Sequence, residues 1–130
     1  MSSASIKAFE ETRLSGMSKG HQVFCDVLLE SGAETTTMSP PEYFLSALGF
    51  CIGVYVKRYC ARNSIPIKGM KVQISSKTAT NPSRIGKILF EVEMPAKLTQ
   101  EQREGILAAA KTCYLHNTLL NPPEMNIVLK

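Results

Sequence analysis

A chain of 130 residues with 44% apolar and 20% charged side chains, its charges interspersed, falls outside the disordered and fibrous classes. It is read as one domain over residues 1–130. Its 15 basic and 11 acidic residues leave a net charge of +4, a dispersed excess without the basic stripe that nucleic acid requires, so no nucleic-acid partner is expected. The first residues show no apolar run behind a basic start, and the longest apolar stretch, residues 43–56, has 14 residues. A membrane span needs about 20. A cytoplasmic chain with no membrane partner is therefore expected.

In chain order, residues 5–14 and 21–29 read as two strands joined by a turn over 15–20. Ser39-Pro40-Pro41-Glu42 then offers an N-cap serine, a proline at the first helical position and a glutamate at N3. That is a capping box, and it predicts a helix over 40–63. The centre of this helix is apolar on nearly every side, so the rest of the protein is expected to wrap it. Gly49 and Gly53 fall on one face. Each costs about 1 kcal/mol in a helix, so a closely packed neighbour is expected there.

Residues 70–75 alternate apolar and polar, and 85–94 place Ile88, Phe90, Val92 and Met94 on one face; both predict strands. Asn81-Pro82-Ser83 is the turn between them. Thr99-Gln100-Glu101-Gln102 repeats the capping-box logic and opens a second helix, with Ile106, Ala110 and Cys113 on one face. Asn121-Pro122-Pro123 stops it, and 125–129 reads as a last strand. The order is ββ, long helix, ββ, helix, β. This predicts an α+β domain with helices against a curled, mainly antiparallel sheet.

The spacing of Cys25, Cys51, Cys60 and Cys113 gives no close pair of the kind that structural zinc or a thioredoxin-like motif uses. Cys51 and Cys60 share one helix at a separation of about 13 Å, too far to bond. A buried free cysteine is ordinarily a small hydrophobe. Two of them on facing helices, Cys51 and Cys113, leave redox chemistry open as well. Cys25, beside Asp26, and Cys60, among Lys57, Arg58 and Arg62, both read as bystanders; the alternative for Cys60 is a reactive exposed thiol, since nearby cations lower a thiol's pKa. His116, three residues after Cys113, is read first as a hydrogen-bonding residue at a helix end, with a Cys–His acyl-transfer site conceivable; His21 is the other histidine, so a histidine-rich metal site is not expected.

The run Ser39-Pro40-Pro41-Glu42-Tyr43-Phe44-Leu45-Ser46-Ala47-Leu48-Gly49-Phe50-Cys51 resembles the first signature of the OsmC/Ohr family, the osmotically inducible and organic hydroperoxide resistance proteins. Ala108 through Cys113-Tyr114-Leu115-His116-Asn117-Thr118-Leu119 resembles the second, about 60 residues later. The resemblance spans the chain. It implies the OsmC-like fold, an intertwined homodimer built around two long central helices, and a hydroperoxide reductase that needs no cofactor and no metal. It further implies Cys51 as the peroxidatic thiolate and Cys113 as the resolving cysteine, a small hydroperoxide as substrate and an external dithiol as reductant.

In the family an N-terminal arginine, held by a glutamate that opens the cysteine helix, stabilises the thiolate. The matching positions here are Arg13 and Glu42, with Arg84 the fallback arginine. The peroxidase branches separate that glutamate from the cysteine by ten residues, and here the separation is nine. On a straight helix nine residues put the two on opposite faces. Glu42 would then reach the site across the dimer or past a helix bulge, or serve only as the capping partner of Ser39. The spacing resembles a divergent OsmC-like branch, for which a small-ligand-binding module is the alternative function.

Overall fold

Strand β1 (Ser5–Glu10) turns back through Glu11-Thr12 into β2 (Arg13–Ser18), which turns through Lys19-Gly20 into β3 (His21–Asp26). The computed structural model describes residues 2–27 and 32–130. It divides into two compact units, one up to Phe44 and one from Leu45 to Lys130. Helix α1 (Pro40–Arg62) opens in the first and runs on in the second.

In the first unit the strands form an antiparallel sheet in the order β1-β2-β3. The sequence predicts one long strand over 5–14, but the chain makes an additional hairpin there. Glu11-Thr12 carries neither glycine nor proline, the residues that ordinarily mark a turn. The expected turn over 15–20 is therefore mostly the strand β2, and the true turn is Lys19-Gly20, with φ of 50° and 80°. Both residues are left-handed, as a tight hairpin matching the twist of the strands requires. Gly16 belongs to the sheet because Ile6 Cδ1 and Val23 Cγ2 would lie 3.0 and 3.4 Å from any Cβ placed there. Positions 28 and 29 of the predicted second strand, and Ser31, lie outside the described residues. Within this sheet only Ser15 and Gly16 are buried, and Ile6 remains 66% exposed.

The capping box at Ser39 forms as predicted. Ser39 N–H donates to Glu42 Oε1 at 2.9 Å, and Glu42 N–H donates to Ser39 Oγ at 3.4 Å. At the other end of α1, Ser64 takes φ 53° and Ile65 N–H reaches back to the Cys60 carbonyl at 2.9 Å. That return ends the helix and carries Ile65 into the core.

The second unit packs α1 with β4 (Lys71–Ala79), β5 (Arg84–Glu93), α2 (Gln100–Lys111) and α3 (Tyr114–Leu120). Its core cluster joins Ile52, Val56 and Cys60 of α1 with Ile65, Ile106 and Cys113. Phe90 and Val92 of β5, and Met94 just beyond it, lie against that cluster, on the face their alternation predicts. The expected neighbour of the α1 glycines is Ile74 of β4, whose Cδ1 occupies the space a Gly49 side chain would need; Gly53 faces Met70 Cε more loosely, at 3.9 Å.

The expected α+β class, antiparallel strands with helices, is what forms, the strands pairing as β1-β2-β3 and β4-β5. Three expectations are corrected here. The helix after Thr99 breaks at Thr112-Cys113, because the Thr112 hydroxyl donates to the Ala109 carbonyl at 2.8 Å and Cys113 adopts extended backbone, φ −56° and ψ 134°. Residues 125–129 pair with no strand among the described residues; the alternation is present, but a strand also needs a partner edge. Finally, α1 is not wrapped. Only the stripe Leu48, Ile52, Val56 and Cys60 is buried, while Phe50 is 74% exposed. At 23 residues and a mean hydropathy of 1.2 in its most apolar window, α1 meets the length and composition of a bilayer span, although its apolar run alone does not.

The β4–β5 ladder contains a bulge. Thr78 pairs Ile85 and Lys77 pairs Lys87, which leaves Gly86 unopposed. A Cβ at Gly86 would collide with the Ala79 Cβ and stand 3.3 Å from the Ala79 backbone nitrogen. Neither group can swing aside. Gly86→Ala is therefore expected to lower the unfolding free energy by about 1–3 kcal/mol in urea denaturation.

Candidate functional site

Cys51 sits on α1 one position before the buried Ile52, which leaves it half-buried at the edge of the core stripe. Cys113 comes from the break between α2 and α3 and is wholly buried. The fold thus brings together two thiols 62 positions apart in sequence, close enough to hydrogen-bond. Had α2 run on through Cys113, its side chain would keep the helical stripe of Ile106 and Ala110. The extended backbone at Cys113 instead makes it the residue that opens α3.

The two sulfurs are chemically unequal. Burial pushes the Cys113 thiol above its ordinary pKa, and its hydrogen bond and charge interaction with Cys51 push the same way. The backbone N–H groups of His116 and Leu115, turned toward the Cys113 sulfur, pull less strongly in the other direction. On balance the surroundings of Cys113 favour its protonated thiol. Cys60, expected as a possible reactive exposed thiol, is instead fully buried, and burial raises its pKa. Its cationic neighbours in sequence do not compensate, because a helix turns successive residues to different faces. Cys25 is half-buried and its thiol donates weakly to the Asp26 carbonyl at 3.6 Å.

Arg13 and Glu42 both lie in the first unit, where each has a local partner. Arg13 Nε donates to Asp26 Oδ1 at 3.2 Å, its Nη2 donates to Thr36 Oγ1 at 3.0 Å, and its guanidinium lies 5.8 Å from the Phe24 ring centroid. Glu42 is engaged in the Ser39 capping box, and the Ser39 hydroxyl and N–H hold its carboxyl below the ordinary range. Arg84 instead clamps the β4–β5 turn, donating to the carbonyls of Thr80 and Pro82 at 3.1 and 2.9 Å. His116 makes no side-chain hydrogen bond among the described residues. It lines an apolar pocket between α2 and β5.

Sequence reasoning missed Asp26, the centre of the polar network in the first unit. Besides the Arg13 ion pair, its Oδ2 accepts from Thr36 N–H at 2.6 Å and from Thr36 Oγ1 at 2.9 Å. Nearby, Tyr43 of α1 donates its hydroxyl to the Phe24 carbonyl at 2.6 Å. The Asp26–Arg13 pairing across β2 and β3 follows once the additional hairpin is known, since the register sets the two residues opposite one another.

The OsmC-like protein family model matches residues 32–128. Among solved structures, an OsmC-like protein from Mycoplasma pneumoniae superposes with a TM-score of 0.78 at 20% identity, over 94% of this chain and 89% of that one. An OsmC-like protein of unknown function from Vibrio cholerae gives 0.72 at 14% identity, over 91% and 92%. The organic hydroperoxide resistance protein OhrB of Bacillus subtilis gives 0.69 at 14% identity, over 94% and 92%. These likenesses establish the fold. No curated protein matches the chain by sequence.

The Asp26 network sets a pH dependence. The Thr36 N–H and hydroxyl, and then Arg13, hold the Asp26 carboxyl below its ordinary value of 3.8. A depressed carboxylate contributes stability that is complete above that ordinary value and is lost as pH falls through the folded-state value. Asp26→Asn is thus expected to be less stable than the native chain at neutral pH. The gap should narrow as pH drops below about 3.8, measured by thermal unfolding across a pH series.

Proposed function

The chain belongs to the OsmC family, and from that membership we propose that it is a cytoplasmic, thiol-dependent peroxidase that reduces organic hydroperoxides through Cys51 and Cys113. The observation that carries the reading is the contact of a half-buried thiol with a fully buried one that retains its proton. In the first step the Cys51 thiolate attacks the distal oxygen of the hydroperoxide. The O–O bond breaks, the alkoxide leaves and takes up a proton as the alcohol, and a sulfenic acid remains on Cys51. In the second, the Cys113 sulfur attacks the sulfenic sulfur. A disulfide forms and one water leaves. An external dithiol then reduces the disulfide by exchange, becoming oxidised itself.

The inequality of the two thiols suits this division of labour. Cys113, protonated and sealed, would not compete for peroxide, yet it lies in reach of a sulfenic acid on its neighbour. The cation that a Cys51 thiolate requires is assigned to Arg13, with Glu42 holding it, by correspondence with the family pattern. Their partners within the first unit, Asp26 and Ser39, would then fix the orientation of each side chain.

A homodimer is part of the proposal. Phe50 and Val54 on α1, and Ile6, Phe9 and Val23 on the first sheet, are exposed in the single chain. Beyond Pro122-Pro123, Ile127 and Leu129 are essentially fully exposed on an extended segment of strand-like alternation. Apolar surface of this extent ordinarily marks an interface. A second copy would cover α1 and supply the missing strand partner. Sedimentation equilibrium is expected to give twice the chain mass of 14.3 kDa, and a single-chain mass at micromolar concentration would refute the dimer.

The peroxidase is tested by intact mass and peptide mapping after brief exposure of the reduced protein to cumene hydroperoxide. Loss of two hydrogens, mapped to Cys51–Cys113, is expected. Cys51→Ser should abolish peroxide consumption. Cys113→Ser should permit one oxidation and no recycling by dithiol. Arg13→Gln should slow Cys51 oxidation at least tenfold, the effect of about 1.4 kcal/mol in the barrier. Four free thiols after treatment, or full turnover by Cys51→Ser, would overturn the assignment.

A further inference from the structure

The pocket between α2 and β5, within the second unit, has a distribution of charge that the thiol chemistry does not use. It encloses about 340 Å³. Cavities of about 150 Å³ accept benzene, so this one accommodates an apolar group of roughly twice that size. Its walls are Phe90 and Val92 of β5, Met94 just beyond it, and Ile106, Leu107 and Ala110 of α2. The polar residues at its boundary are Arg103, Lys111 and His116, with no carboxylate among the lining residues.

The cations are placed by helix periodicity. Arg103, Ile106, Leu107, Ala110 and Lys111 follow the spacing of one helix face, so a basic side chain stands at each end of an apolar stripe. Neither has an acidic partner among the described residues; the ion pairs there both belong to Arg13. Glu104, adjacent to Arg103, accepts instead from Gln100 Nε2 at 3.2 Å. The rim is positive, uncompensated and set over an apolar floor.

We propose that this pocket binds an amphipathic monocarboxylate, its chain seated against Phe90, Val92 and Ile106 and its head group held by the basic rim. Apolar pockets obtain orientation from a few polar groups at their edge, and guanidinium and ammonium groups select an anion over a neutral head of the same size. The opposing physical reading is that the Arg103 and Lys111 stems merely shield apolar surface while their charges remain in water. In that case the pocket would take a neutral chain as readily as an anionic one. The proposal goes beyond the redox reading and does not depend on it, because the ligand carries no peroxide and no thiol takes part.

The test uses the full chain and three probes of equal length: octanoate, octanol and octylammonium, titrated calorimetrically. Octanoate is expected to bind at least tenfold more tightly than octanol, and octylammonium more weakly than either. The double variant Arg103→Gln/Lys111→Gln should bring octanoate down to the octanol affinity while leaving octanol binding and the melting temperature unchanged. Methyl NMR shifts on octanoate addition should centre on Met94, Ile106 and Leu107. Octanol binding as tight as octanoate, an absence of binding by both, a preference retained in the double variant, or shifts centred elsewhere would each overturn the proposal.

Discussion

The organisation of the second unit depends on one stripe of α1. Leu48, Ile52, Val56 and Cys60 recur every four residues and are the buried residues of a 23-residue helix. Burying an aliphatic side chain of this kind contributes roughly 1.5–3 kcal/mol. The stripe therefore fixes the rotation of α1 about its own axis. Cys51, adjacent to Ile52, is held at the margin of the core by that rotation and is neither sealed nor fully solvated. The opposite surface, with Phe50 and Val54, remains apolar and uncovered. A single helix thus presents one buried stripe to its own chain and a second apolar surface that the chain leaves open.

The second constraint is the break at Thr112-Cys113. A hydroxyl that takes the Ala109 carbonyl, followed by one extended residue, interrupts what would otherwise be a helix of about 20 residues. The cost is modest, because capping interactions recover part of the lost hydrogen bonding. The result is geometric: the chain turns at Cys113, and its sulfur lies in the core beside Cys51. Proton affinity follows from position. The thiol with no exposure is pushed up, chiefly by its burial.

Much of this was legible in the sequence, and the readable parts share a property: each is local. Both capping boxes, the β5 face and the α1 boundaries are decided by residues a few positions apart, and all of them form. The family signatures around Cys51 and Cys113 were local as well. The misread parts each depended on something else. Glu11-Thr12 turns without the usual turn residues, so the hairpin becomes visible only from the register of β1 on β2. The helix break involves no glycine or proline. The C-terminal alternation is a true strand pattern, but a strand is completed by a partner edge, which no single-chain pattern supplies. Arg13 was read as a site residue without its Asp26 partner, because that pairing exists only across the unrecognised hairpin.

The burial of Cys60 bears on the fidelity of oxidation. On the proposed chemistry, an oxidised Cys51 must be met by one partner thiol and no other. Cys60 lies on the same helix, nine residues further along, with its sulfur locked in the core stripe and its proton held by the apolar surroundings. Nine residues place it about 13 Å from Cys51 along the helix axis, beyond the reach of a disulfide. The helix thus carries a second cysteine that cannot bridge to the first. Its error-proofing is geometric, maintained for as long as the helix stays formed.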